Sequence, residues 1–224
     1  INRLYHLVRN YTLKGKLKMV QELTGLPKGT LLDVGAGTGY FSQIMKDNEW
    51  EVTSLEPDMT ARKVAMDKYD LLLQDTSNLY YLEANQFDAI AMWHVLEHVH
   101  DLQGYLDKFH EILKPNGRLI IAVPNYTSYD AEHYAEHWAA YDVPRHLYHF
   151  SPQSMDVLAK LKGFTVKAYK PMWFDSFYVS MLSEQCKNGK GNLLAAVWSG
   201  LISNLKTLSN NKRCSSLIYV LAKQ

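Results

Sequence analysis

The stretch LLDVGAGTGYFS, residues 31–42, constrains the fold most. A short apolar run passes directly into glycines at alternate positions, Gly35, Gly37 and Gly39, and then into a helix-period segment from Tyr40. Glycine allows a tight turn and removes the Cβ that would keep a ligand away. A helix that starts at such a turn presents free N–H groups at its positive end. On its own the turn serves either a ligand or a plain strand-to-helix connection.

The rest of the chain repeats the same alternation. Apolar or β-branched runs at 30–35, 51–57, 70–73, 87–95, 118–125, 164–170 and 215–223 read as strands. Helix-period segments at 2–24, 40–48, 59–69, 101–113 and 152–162 lie between them, with a KPNG turn at 114–117. Ser151 and Pro152 form a helix start, and Gly163 a stop. This order predicts one α/β domain over 1–224. Its sheet is Rossmann-like, seven-stranded and mostly parallel, with the last strand antiparallel and helices on both faces. Residues 126–150 and 174–212 read as insertions forming a substrate cover, and the 2–24 helix as a lid in which Tyr5 and Tyr11 close the site.

Composition excludes several classes. The 224 residues include 24 basic and 23 acidic side chains, a net charge of +1, so nucleic acid is not expected as a partner. Cys186 and Cys214 are too few and too far apart for a disulfide framework, which favours free thiols and a cytoplasmic setting. No run of eighteen apolar residues and no signal peptide is visible. The chain begins at Ile1, which leaves upstream residues open.

Two further acids extend the glycine turn into a candidate site. Glu56, followed by Pro57, ends the second strand about twenty residues after Asp33, where a carboxylate accepts from the two hydroxyls of a ribose. Asp75, with Thr76 beside it, is placed to bond an adenine amino group, or is an ordinary loop acid. Together these residues resemble the class I S-adenosylmethionine-dependent methyltransferases over roughly 30–170. WHVLEHV at 93–99 and DVPRHLYHFS at 142–151 make the sequence most similar to the branch that holds ubiquinone-biosynthesis O-methyltransferases. The resemblance implies S-adenosylmethionine as cofactor, S-adenosylhomocysteine as product, and a small methyl acceptor, first of all an oxygen. The cofactor set is then Asp33, Gly35, Ala36, Gly37, Gly39, Tyr40, Glu56, Pro57, Asp75 and Thr76, with Trp93 and His94 lining the pocket. The alternatives are an NAD-dependent oxidoreductase and a non-catalytic nucleotide-binding protein of the same fold.

Methyl transfer is an in-line displacement that asks mainly for alignment. An oxygen acceptor also needs a base. His98 is the candidate base, with helix packing as the competing role. Tyr141, Arg145 and His146 are the candidate substrate contacts, and an ion pair with Asp142 is the other role for Arg145. His133 and His137 lack an evident third ligand; Glu97 with His98 could bind a divalent ion near a phenolic acceptor, but their spacing alone does not show it, and no metal site is expected. The 192–213 segment carries an apolar side of Leu193, Leu194, Val197, Trp198, Leu201, Ile202 and Leu205 with lysines around it. Packing on the sheet or against a second copy is the favoured reading, and a membrane surface the other.

Overall fold

A computed structural model describes the backbone of residues 2–224 and the side chains from Tyr11 onward. The role expected of Tyr5 lies outside the described side chains, whereas Tyr11 is largely exposed.

In chain order the elements are α1 (Asn2–Thr24), β1 (Thr30–Val34), α2 (Tyr40–Asp47), β2 (Glu51–Leu55), α3 (Met59–Tyr69), β3 (Phe87–Trp93), α4 (Leu102–Ile112), β4 (Leu113–Pro124), α5 (Tyr129–Tyr134), α6 (Pro152–Leu161), β5 (Phe164–Pro171), α7 (Asp175–Asn188), α8 (Leu193–Ser209) and β6 (Ser216–Lys223). The strands follow the order β2-β1-β3-β4-β6-β5. β1 pairs in parallel with β2, Leu32 opposite Thr53, and in parallel with β3, Leu32 opposite Ile90. Among the described residues the sheet has six strands, not seven. Residues 70–73 are no strand: beside β2 the chain makes one parallel bridge, Leu55 to Gln74, and then turns into the 3-10 segment Thr76–Tyr81. Leu71 and Leu73 are nevertheless buried, so their apolar character reflects packing rather than pairing. The KPNG segment expected as a turn is extended and belongs to β4.

The chain divides into two compact units: Ile1–Met92 with Gln103–Ile120 and Lys223, and Trp93–Leu102 with Ile121–Ala222 and Gln224. In the first, Leu31, Leu32 and Val34 of β1 and Ala89, Ile90 and Met92 of β3 are fully buried. Strands buried on both faces read as continuous apolar runs, which is why these elements were legible. Within this core sits Asp33, 1% exposed. The Ser42 hydroxyl donates to its Oδ2 at 2.6 Å, and Ser54 donates to Ser42 at 2.8 Å. The chain of hydroxyls ties β1, α2 and β2 together beneath the glycine turn.

The second unit is organised around another buried acid. Asp130, on the short helix α5, is completely buried. Its Oδ2 accepts from Trp138 Nε1 at 2.9 Å and Ser215 Oγ at 2.7 Å, and its Oδ1 from Ser203 Oγ at 2.8 Å. One carboxylate thus joins α5, the loop after it, α8 and the approach to β6. Helices α7 and α8 meet through small residues: Ser176, Ser180 and Ser183 on one, Ala196, Ser199, Gly200 and Ser203 on the other, all buried. A Cβ at Gly200 would come 2.6 Å from the Phe177 ring, so only glycine admits this approach.

The helix start at Ser151 is as expected, with Ser151 and Ser154 capping each other. The apolar side of α8 does not pack on the sheet. Leu193, Leu194, Val197, Trp198, Leu201 and Leu205 are exposed and only Ile202 is half-buried, because the small residues of α8 take the packed face. Cys186 and Cys214 are both free, and burial pushes the Cys214 thiol up to about 11, where it stays protonated.

Two outcomes follow from the buried acids. Asp130→Ala strands three donors, and urea unfolding should show a loss of about 2–4 kcal/mol, with Asp130→Asn costing less. Burial pushes the Asp33 carboxyl from 3.8 up to about 6, against the lowering effect of its bond from Ser42. The native state therefore holds this proton more tightly than the unfolded chain, and stability falls as pH rises between those two values. Asp33→Asn should flatten that part of the urea-midpoint profile, by about 1–3 kcal/mol. An unchanged slope would show that Asp33 does not titrate there.

Candidate functional site

The glycine turn has the conformation its sequence demands. Gly35, Gly37 and Gly39 have φ of 71°, 55° and 80°, a region that costs other residues strain. Gly39 is also confined: a Cβ there would meet Leu71 and Ala65 at 3.0 and 3.2 Å. The N–H groups of Gly35 and Ala36 both donate to the Leu55 carbonyl at the end of β2. The Gly37 N–H donates to Glu56 Oε2 at 2.7 Å, and Glu56 Oε1 accepts from the Asp58 N–H at 3.0 Å. Glu56 is 8% exposed, so its carboxylate closes on the turn from one side.

Arg62, one turn into α3, links the two acids proposed for the cofactor. Its Nη1 donates to the Glu56 carbonyl at 2.7 Å and to Asp75 Oδ2 at 2.8 Å. Asp75 also accepts from the Ser77 N–H and hydroxyl, and these bonds with Arg62 hold its carboxyl down near 2. It is ionised at any ordinary pH. Thr76 follows as the first residue of the 3-10 segment, and Pro57 is exposed. Tyr40 starts α2, and Lys68 donates to its hydroxyl at 2.6 Å. The structure thus brings Gly35, Ala36, Gly37, Gly39, Glu56 and Asp75 to one side of the first unit. Asp33 is placed differently, below the turn and facing Ser42. No signal in the sequence marked Arg62 or Lys68, since their partners become neighbours only on folding.

The second unit holds a cavity of about 600 Å³, a size suited to a small molecule. His94, Glu97, Asp142, Arg145, His146 and Asp175 line its polar part, and Tyr178, Val179 and Leu182 of α7 its apolar part. His94 has φ of 59°, rare for histidine, and its ring lies between two acids: Nε2 is 3.0 Å from Asp175 and Nδ1 3.5 Å from Glu97. Burial draws its pKa down, but hydrogen bonds and charge from Asp175 and Glu97 outweigh that and lift it to about 9. The ring is an imidazolium at neutral pH. Trp93 precedes it, half-buried, at the end of β3.

Glu97 is the least satisfied group in the cavity. It is 1% exposed, and apart from the His94 ring at 3.5 Å neither carboxylate oxygen has a hydrogen-bond partner among the described residues. Beside it stand two imidazoles. His98 Nδ1 donates to the Arg145 carbonyl at 3.0 Å and His146 Nδ1 to the Ala140 carbonyl at 2.8 Å, which leaves Nε2 of each as the atom that can take or give a proton. The rings meet edge to face, 4.6 Å between centroids, and burial lowers the His146 pKa. One ligand atom each from Glu97, His98 and His146 lies within 4.8 Å of the others. This trio could hold a divalent cation or act as a proton acceptor.

Of the expected substrate contacts, Arg145 and His146 line the cavity. Tyr141 is not among the lining residues, because its ring packs edge-on against Trp138 and His149. Arg145 is paired with Asp142, Nη2 to Oδ1 at 2.7 Å, as its competing role anticipated. His133 and His137 do not share a helix face: α5 ends at Tyr134, His133 stacks on Tyr129, and His137 belongs to a separate 3-10 turn. Asp175 carries no signal in the sequence, being far from His94 along the chain and with no motif around it.

A family model described as a methyltransferase domain matches residues 8–169. The ubiquinone biosynthesis O-methyltransferase of Xylella fastidiosa is 30% identical over 119 residues, 50% of this chain and 48% of that protein. The chain thus spans about half the length of the curated relatives it matches. Among solved structures, a SAM dependent methyltransferase from Archaeoglobus fulgidus superposes with a TM-score of 0.63 at 19% identity, covering 96% of this chain and 94% of that one. The 1,6-didemethyltoxoflavin-N1-methyltransferase of Burkholderia thailandensis, solved with S-adenosylhomocysteine, gives 0.59 at 17% identity, covering 98% and 84%. At those identities the two structures share the fold alone. The family match takes in the glycine turn, Glu56, Asp75 and the His94–His98 stretch, and over that length the chain belongs to the methyltransferase domain family.

Proposed function

We propose that this protein transfers a methyl group from S-adenosylmethionine to a small acceptor, with an oxygen as the receiving atom. The observation that carries this reading is the Glu56 carboxylate closed on the Gly37 N–H. An acid so held is preset to exchange a backbone partner for the two hydroxyls of a ribose. Asp75, kept ionised by Arg62 and Ser77, supplies an acceptor for an adenine amino group. Only the cofactor's sulfonium supplies the electrophilic methyl, so the chain's own work is positioning and proton removal.

In the cavity, the buried His94 imidazolium and Asp175 fix the wall that Glu97 shares. His98 or His146, each with Nδ1 held by a backbone carbonyl, accepts the acceptor's proton at Nε2. A second reading rests on the unsatisfied Glu97. A buried carboxylate whose one near partner is an imidazolium at 3.5 Å has acceptor capacity left for a cation, and Glu97, His98 and His146 are a suitable donor set for a divalent ion beside the acceptor oxygen.

Isothermal calorimetry should detect saturable S-adenosylmethionine binding, weakened roughly tenfold or more by Glu56→Ala, and no comparable affinity for NAD. A folded chain that binds neither S-adenosylmethionine nor its demethylated product would overturn the reading. Once a phenolic or catecholic acceptor is found by screening, His98→Ala should lower kcat by about 10²–10⁴ while leaving cofactor affinity unchanged. Titration with Mg²⁺ and Zn²⁺ separates the two roles: binding that disappears in Glu97→Gln assigns the trio to a cation, and its absence leaves the histidines as bases.

A further inference from the structure

Helix α8 is built inside out for a protein bathed in water. Its packed face consists of Ala196, Ser199, Gly200, Ser203 and Thr207, all small. Its outer face carries Leu194, Trp198, Leu201, Leu205 and Leu208, spaced four and three residues apart in one stripe. Every one of these is exposed, Leu194 by 84% and Trp198 by 67%. Small residues between helices and large apolar ones outside are the arrangement of helices that face lipid. At seventeen residues α8 is about 25 Å long, and no described helix is long and apolar enough to cross a membrane.

Charge selects the occupant. No acidic residue follows Glu184 in the sequence. Lys187 and Lys190 stand exposed before the stripe and Lys206 at its far end. Two further cations are engaged within the unit: Arg213 pairs with Glu132 at 2.6 Å, and Lys212 lies 3.9 Å from Asp156. A second copy packed against the stripe would set lysines against lysines whether the helices ran parallel or antiparallel, since both ends are basic. An anionic bilayer surface accepts both ends at once.

We propose that α8 lies flat on an anionic membrane surface, its leucines and Trp198 in the acyl boundary and Lys187, Lys190 and Lys206 among the headgroups. The neighbouring helix extends the same surface toward the cavity: Tyr178 of α7 is exposed by 60% and also lines it. An acceptor dissolved in the bilayer would therefore meet the cavity wall without passing through water.

The test is flotation of the full chain with vesicles of phosphatidylcholine alone and of phosphatidylcholine mixed with phosphatidylglycerol. The chain should float with the anionic vesicles, less so as salt is raised. The triple variant Leu194→Gln, Leu201→Gln, Leu208→Gln, altered only at exposed positions, should bind at least about tenfold more weakly with an unchanged circular dichroism spectrum. Lys187→Glu with Lys190→Glu and Lys206→Glu should abolish the preference for anionic lipid. No flotation with anionic vesicles, or flotation that the glutamines leave intact, would overturn the proposal. So would sedimentation velocity showing a dimer that the glutamine variant splits, for the stripe would then belong to a second copy. None of these readouts depends on methyl transfer, so failure here leaves the cofactor reading standing.

Discussion

A carboxylate taken out of water must be given donors or an opposite charge, and among its described residues this chain buries five: Asp33, Glu56, Glu97, Asp130 and Glu184. Much of the architecture consists of the answers. Hydroxyls answer Asp33 and hold the strands under the glycine turn. Backbone N–H groups answer Glu56 and shape the turn itself. An indole and two serines answer Asp130 and gather α5, α8 and β6 around one point. The Tyr134 hydroxyl and the Asn188 amide answer Glu184. Glu97 alone has only an imidazolium at 3.5 Å. The exception lies in the wall of the cavity, where an unmet demand is a binding opportunity rather than a fault.

The same logic explains the serines of α7 and α8. Small hydroxyl-bearing residues let two helices approach closely and leave no large polar group to satisfy. The consequence falls on the opposite side of α8, where the leucines have nowhere to pack within the chain. One choice of packed face therefore stabilises the insertion and creates its apolar surface.

Much of this was legible from the sequence wherever one residue type has one physical meaning. Alternate glycines with positive φ gave the turn away, the run of apolar residues in β1 and β3 gave the buried strands, and Ser151 with Pro152 gave the start of α6. The less legible places are those where a pattern has two causes. Leu71 and Leu73 look like a strand because they are buried, although the bridge to β2 is made by Gln74. The stripe on α8 looks like a core face because amphipathic helices in water usually turn that face inward. Tyr141 packs its ring on Trp138, and Arg145 lines the cavity while paired with Asp142, relations that no local pattern marks.

The sequence by itself determined the alternation of strands and helices, the glycine turn and the acids that follow it, because these depend on local backbone freedom and short spacing. Only the tertiary structure decided that Arg62 joins Glu56 to Asp75, that His94 is charged by Asp175, and that Glu97, His98 and His146 converge. Those relations link residues far apart along the chain. The distances between them are set by packing, which no local pattern encodes.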